Sequence, residues 1–365
     1  MNRDIKIATY VYPGWHSEPE RRDTLNRVLN EWSIVENAKP LFKTHRQPRV
    51  PLKTYDDSLP ETSNWQIEIA KRYGIDVFVY CLYWSFGKRF LYKPLDEAFL
   101  KCSRFRDVEF AVMWANRLPR GILPIKDRKG PVIHPSRFVY TNRSDFLSLI
   151  KHIAENYFCK ENYAKINGRY LFSIFDSTFF IRDTGRDGAR EIIESARRWL
   201  LSNGYNDIYL IAINPAPNFI SEYKKAGFDA ISHYVYLPEW KGDYLQDYRE
   251  LIRKRASKWR DFESEHGLPY YPAVTPGWDA TPRGEINDRK PPRRYPYWPV
   301  VINENPEDFK WFLKAGLNYN IENNSNSPIQ FITSLNEWSE GHYLEPDNDF
   351  GYGFLEAIKS AREEI

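Results

Sequence analysis

Short apolar runs and longer segments of helical periodicity take turns along this chain. The runs at 5–12, 77–83, 109–114, 170–175, 208–213, 230–236, 270–274 and 329–333 read as strands. Most are rich in β-branched or aromatic residues and too short to be helices. Between them, 62–73 places Trp65, Ile69 and Tyr73 on one face and ends at Gly74. Segment 144–157 carries Phe146, Leu149, Ile150 and Ile153 at helical spacing, and 191–201, 244–265 and 306–319 behave similarly. A long loop joins the first strand to the first clear helix. Alternation without a break in composition predicts one parallel α/β domain over 1–365. Eight repeats of the unit favour a closed (β/α)8 TIM barrel, with long loops at the C-terminal face of the strands, over an open doubly wound sheet. The turn after the first strand, Tyr10-Val11-Tyr12-Pro13-Gly14-Trp15, is nothing like the Gly-rich phosphate fingerprint, which counts against a nucleotide-binding domain.

A barrel of this kind builds its active site from the carboxyl ends of its strands. Here those ends deliver Tyr10, Tyr12, Trp15 and His16; Tyr83 and Trp84; Trp114 and Asn116; Asp176; Asn214; His233, Tyr234 and Tyr236; Trp278, Asp279 and Arg283; and finally Asn336, Glu337, Trp338 and Glu340. Only the eighth brings two glutamates, three residues apart beside a tryptophan. Glycosidic-bond chemistry needs such a pair: one acid gives a proton to a leaving oxygen while the other handles a second proton or developing positive charge. Glu337 and Glu340 are therefore the expected catalytic residues. Tyr10, Tyr12, Tyr83, Trp84, Trp114, Asn116, His233, Tyr236, Trp278, Asp279, Arg283, Asn336 and Trp338 are the expected substrate contacts. Plainer readings compete with these. His233 sits on an apolar strand, as core histidines do; Asp176 and Asp279 could cap the turns that follow them; and Tyr10 and Tyr12 share one strand face, which must also fill the barrel.

Composition sharpens this. Of 365 residues, 42% are hydrophobic, enough for a large core, and 16% are aromatic, with 12 Trp and 25 Tyr. Aromatic faces suit the C–H faces of sugars, although many of these rings must simply be core. The net charge of +3 is spread among interspersed acids and bases, which excludes a nucleic-acid partner. Arg289, Lys290, Arg293 and Arg294 cluster at and within the Pro-rich loop 290–299 and read as solvated or as meeting an anionic substrate or phosphate; Arg117, Arg120 and the Arg293/Arg294 pair leave an anionically decorated glycan open. Cys81, Cys102 and Cys159 form no paired framework, and Cys81 lies within a strand. His16, His45, His134 and His342 lack metal-ligand spacing, so no metal or cofactor is expected. No run approaches the ~18 apolar residues of a membrane span. With no apolar leader after Met1, a cytoplasmic location is expected if that methionine is native, and export if a signal peptide was trimmed. The expected partner is an oligo- or polysaccharide; the sequence is silent on oligomeric state.

The segment Phe331-Ile332-Thr333-Ser334-Leu335-Asn336-Glu337-Trp338-Ser339-Glu340-Gly341, with Leu344-Glu345-Pro346, resembles the signature of glycoside hydrolase family 99 endo-α-mannosidases. It resembles equally that of the related WbsX-like proteins of bacterial polysaccharide loci. Asn30-Glu31-Trp32, Ala38-Lys39-Pro40-Leu41-Phe42, His45-Arg46-Gln47-Pro48, Tyr83-Trp84, Trp114-Ala115-Asn116 and Pro276-Gly277-Trp278-Asp279 with Arg283 are similar to the WbsX-like branch. Two positions depart from it: Arg117 stands where relatives usually carry an acid, and Ala280 where asparagine is frequent. The resemblance implies a (β/α)8 barrel and hydrolysis with retained configuration, in which the substrate's own 2-hydroxyl attacks the anomeric carbon. It further implies Glu337 as the base for that hydroxyl and Glu340 as the acid at the departing oxygen. Two alternatives remain. One is a glycosyltransferase or other polysaccharide-assembly enzyme, although the nearest metal-binding motif, Asp347-Asn348-Asp349, is weak. The other is a glycan-binding barrel without catalysis.

Overall fold

A computed structural model describes residues 5–17, 30–118, 123–126, 135–219, 221–285, 291–324, 326 and 329–365. Arg120, His134, Arg289 and Lys290 lie outside these. Eight parallel strands form one sheet: β1 (Lys6–Val11), β2 (Val77–Ser85), β3 (Glu109–Trp114), β4 (Arg169–Ile174), β5 (Ile208–Ile213), β6 (Ala230–Ser232), β7 in two pieces (Tyr270–Tyr271 and Ala273–Val274) and β8 (Ile329–Ile332). Neighbours in sequence are neighbours in space, and β1 returns to pair with β8, Lys6 opposite Ile329. The sheet closes through β7. Its first piece pairs with β6 and its second with β8. Pro272 separates the pieces because it has no N–H to give the ladder; its carbonyl instead accepts from the buried Gln330 amide at 2.9 Å. The fold is the expected (β/α)8 barrel.

The helical layer departs from expectation in detail. Segment 244–265 was expected as one helix. Instead Leu245–Asp247 pairs in parallel with Val300–Ile302, the Asp247 carboxylate caps the helix Tyr248–Ala256, and a second helix runs Trp259–His266. Only Ala230–Ser232 of the sixth run stays in the sheet, and 233–236 leave it. Asn142 and Asn305 cap Arg143–Ile153 and Pro306–Asn323 by accepting a backbone N–H each. Pro60–Tyr73 ends at Gly74, whose φ of 84° suits a residue without Cβ.

Side chains alternate across each strand, and this parity decides what reaches the barrel mouth. On β2, Cys81 and Tyr83 face inward, whereas Tyr80 and Trp84 face the helices. On β3, Met113 faces inward and Trp114 packs outward on Phe146 and Phe180. Tyr10 stacks on Phe331 and meets Tyr234 edge-on, filling the barrel beneath the mouth.

Candidate active site

The mouth opens into a cavity of about 980 Å³ walled by strand ends and the loops after them. After β8 the chain forms a small hairpin, Asn336–Glu337 pairing antiparallel with His342–Tyr343, with one 3-10 turn, Trp338–Glu340, at its tip. Gly341 closes that turn at φ 68°, and a Cβ there would lie 2.7 Å from the Asp279 nitrogen. Glycine is therefore required twice, by conformation and by space. The turn projects both Glu337 and Glu340 into the cavity. Nearby, the Asp279 N–H donates to the Glu340 carbonyl at 2.8 Å, which fixes the hairpin against the loop after β7.

Arg283, from that loop, lies among three carboxylates. Its guanidinium makes very short contacts with Glu337 and Glu340, and a 3.2 Å bond to Glu31. Its Nε donates to the Ser339 hydroxyl at 2.8 Å. Glu31 also accepts from Ser339 at 2.6 Å and, in a short bond, from the Tyr12 hydroxyl. Glu340 accepts from the Tyr295 hydroxyl at 2.7 Å and lies 3.1 Å from His342 Nε2. Among the described residues the Glu337 carboxylate accepts, besides Arg283, from the Tyr234 hydroxyl at 2.9 Å, while its backbone N–H donates to the Ser334 hydroxyl at 2.9 Å. The two acids thus differ in support. Glu337 is the more buried, 2% exposed against 9%, and burial with repulsion from Glu340 and Glu31 drives its pKa well above the ordinary value. Against its own burial, Arg283, His342 and Tyr295 hold Glu340 down at about 2. Two like charges this close cannot both ionise freely, and the proton stays on the poorer-served group.

Other expected residues divide by placement. Tyr12, Tyr83, His233, Tyr236, Trp278 and Arg283 line the cavity with the acid pair. His233 is also bonded to the Tyr270 hydroxyl at 3.0 Å and stacked on Tyr236; burial first, and then Arg255, depresses its pKa to about 3, so it is neutral. Tyr10, Trp84, Trp114, Asn116, Asp279, Asn336 and Trp338 do not line the cavity. Trp84 donates its indole N–H to Asp145, and Trp114 to the Trp84 carbonyl. Asn116 bridges the Asp176 backbone through both ends of its amide. Asn336 does the same for Tyr12 and thereby sets where that tyrosine points. Asp279 turns away to receive His45 and Gln47 of the long first loop, at 2.8 and 2.6 Å. Trp338 stacks on Tyr343 and donates to Glu345 at 2.8 Å. These residues hold the site's frame. Asp176 is a helix cap, accepting from the Phe179 N–H, and also lines the cavity.

Strand-end reasoning missed Glu31, Tyr295 and Trp240, all in the cavity wall. Tyr295 sits in a loop and Glu31 just before the short helix Trp32–Glu36, away from any strand end, and only the likeness of Asn30-Glu31-Trp32 to relatives drew attention to the latter. Glu337, Glu340 and His342 present ligand atoms within 4.8 Å of one another, a set that could hold a cation. The Arg283 guanidinium already meets both carboxylates, so a metal ion there would compete with a fixed positive charge.

Fold and site together define a closed parallel (β/α)8 barrel with an acid pair on the loop after its last strand, inside a cavity lined with aromatic side chains. Solved structures agree on the fold. The GH99 endo-alpha-mannosidase from Bacteroides thetaiotaomicron superposes with a TM-score of 0.61 at 16% identity, covering 98% of this chain and 96% of that one. A glycoside hydrolase-like protein reaches 0.64 at 15% identity, covering 99% and 94%. The chain belongs to the family described as Glycosyltransferase WbsX, whose model matches residues 6–358. Protein WxcX from two strains of Xanthomonas campestris pv. campestris is 28% and 27% identical over 97% of this chain. The chain spans about half the length of these curated relatives, 49% in each case. No helix among the described residues is long and apolar enough to cross a membrane.

Proposed function

We propose that this chain is a retaining glycoside hydrolase that cleaves an α-linked, mannose-like glycan with Glu337 and Glu340. The observation that carries the reading is the pair itself: two carboxylates from one hairpin, facing one aromatic cavity, with pKa values driven in opposite directions. Their nearest ligand atoms lie within 4.8 Å. Inverting enzymes need roughly 6.5–9.5 Å between their carboxyl groups to admit a water between acid and base, more than this pair leaves. The endo-alpha-mannosidase likeness supports the choice of glycan.

The opposed pKa shifts of the two acids suggest a division of labour. Glu337 holds the proton and gives it to the departing glycosidic oxygen. Glu340, ionised, takes the proton of the substrate's own 2-hydroxyl as that oxygen bonds to the anomeric carbon and the glycosidic bond breaks. Water then opens the resulting ring, giving its proton to Glu337 while Glu340 returns one to the 2-oxygen, and Arg283 steadies whichever carboxylate is charged. This reverses the order that the family resemblance implies. A leaving group that needs no proton decides between them. A glycosyl fluoride should restore turnover to Glu337→Gln and leave Glu340→Gln inactive. Rescue of Glu340→Gln alone would return the acid role to Glu340, and full activity of both variants on a natural glycan would remove the pair from catalysis.

Glycosyl transfer is the second reading, favoured by the description of the WbsX family as glycosyltransferases. Calorimetry with nucleotide sugars separates the two. Tight binding of any of them supports transfer, and their indifference supports hydrolysis.

A further inference from the structure

The cavity is polarised. Its lining holds Glu31, Glu337 and Glu340 around Arg283, and the wall formed by the loops after β3 and β7 adds Arg117 and Arg137 from the first and Arg293 and Arg294 from the second. Those two loops are tied together. Gly284–Glu285 pairs in parallel with Ile125–Lys126, and the Tyr297 hydroxyl donates to the Ile125 carbonyl. The four arginines therefore stand on two loops that are fastened to each other.

Their charges are unequally answered. Arg117 pairs closely with Asp176 and lies over the rings of Phe138 and Phe179, at 3.8 and 5.1 Å. Its side chain is only 12% exposed, yet its buried Nη1 has no hydrogen-bond partner among the described residues. Arg137 donates to the Leu118 carbonyl, and Arg293 to the carbonyls of Lys241 and Gly242. Neither forms an ion pair with a carboxylate among the described residues. Elsewhere on the lining Lys258 is matched by Asp261 at 3.0 Å. A buried guanidinium N–H left unsatisfied is costly, and a neutral sugar hydroxyl answers it less well than a charged oxygen pair does. Planar, multi-donor arginine is also the side chain best shaped for a carboxylate.

We propose that this wall is an anion subsite, and that the glycan carries a carboxylate-type substituent, as a hexuronic acid residue does, docked against Arg117, Arg137 and Arg293 while its glycosidic bond lies over Glu337 and Glu340. The inference rests on the reading of that pair as the glycosidic centre and adds the class of sugar to it.

The test is calorimetry on the full chain carrying Glu337→Gln and Glu340→Gln, so that ligand is not consumed. The probes are hexuronic-acid-containing oligosaccharides, the same oligosaccharides with carboxyls reduced to alcohols, and a nucleotide sugar. The acidic probe should bind about tenfold more tightly than its reduced form. That preference should shrink on adding Arg137→Gln and Arg293→Gln. Raising salt from about 50 to about 500 mM should shrink it too, a readout with every arginine in place. Equal binding of the acidic and reduced forms, binding of neither, or a preference that outlasts both the substitutions and the salt would overturn the proposal. So would tight binding of the nucleotide sugar that depends on the same arginines, because the wall would then serve a diphosphate. Digestion of the two oligosaccharides by the unsubstituted chain keeps the two readings apart. A binding preference without cleavage sinks the hydrolase and leaves the subsite, whereas cleavage without preference does the reverse.

Discussion

Replacing Arg283 by methionine removes the guanidinium that meets Glu31, Glu337 and Glu340 while keeping much of the side chain's volume. Three buried carboxylates then face one another without it. Breaking a buried ion pair typically costs about 3–5 kcal/mol. Part of this is recovered here, since a carboxyl that loses its partner can take up a proton instead of staying charged. The sign with pH follows. Glu340 is held at about 2, below the ordinary 4.5. Its contribution is therefore fully present above about pH 4.5 and lost as pH falls toward 2. In Arg283→Met that depression is gone and burial raises the carboxyl groups, so the variant's deficit grows as pH rises and forces them to ionise. For a chain of this size we expect the thermal midpoint to drop by on the order of 2–5 °C near pH 7.5, and by clearly less near pH 5. Thermal unfolding followed by circular dichroism at both pH values measures this. A drop of under about 1 °C, or one equal at the two pH values, would refute the claim that Arg283 offsets carboxylate repulsion.

Other consequences are as direct. Activity should fall as rising pH strips Glu337 of its proton, at a midpoint above the ordinary carboxyl range, and should persist far into acid because Glu340 stays ionised to about 2; a pH–rate profile with its descending limb at or below pH 4.5 would contradict this. Gly341→Ala should destabilise by about 1–3 kcal/mol and depress turnover, since both the left-handed backbone and the approach to Asp279 forbid a Cβ; unchanged denaturant midpoint and rate would refute it. Trp240, 49% exposed at the cavity and edge-on to Trp278, should serve as a sugar platform. Trp240→Ala should weaken glycan affinity roughly tenfold with little change in stability, and equal affinity would remove Trp240 from the binding surface.

The barrel was legible because each run it needed was apolar, short and bounded by loops. What escaped notice were local competitions. Pro272 splits a strand without ending it, and the Asp247 cap turns the start of an expected helix into a strand. Of the candidate site, Glu337, Glu340 and Arg283, which the structure brings into one cavity, all stand in likeness-bearing stretches, but strand ends alone mislead by one residue in two. Tyr83 faces the cavity whereas Trp84 faces the helices, and nothing at either position announces which face is inward. Glu31 lay beyond such reasoning altogether. It arrives from a long loop whose course is set by distant clamps, His45 and Gln47 on Asp279 and Tyr12 on Glu31 itself.

The central claim is that Glu337 and Glu340 together break a glycosidic bond. It is tested most directly by incubating the chain, and each single glutamine variant, with a panel of α-linked mannose oligosaccharides and reading new reducing ends and their anomeric form by NMR. The account predicts release of the retained anomer by the unsubstituted chain and a loss of about 10²–10⁴-fold in either variant, with glycan binding preserved. Undiminished release by both variants, or an inverted product, would contradict it.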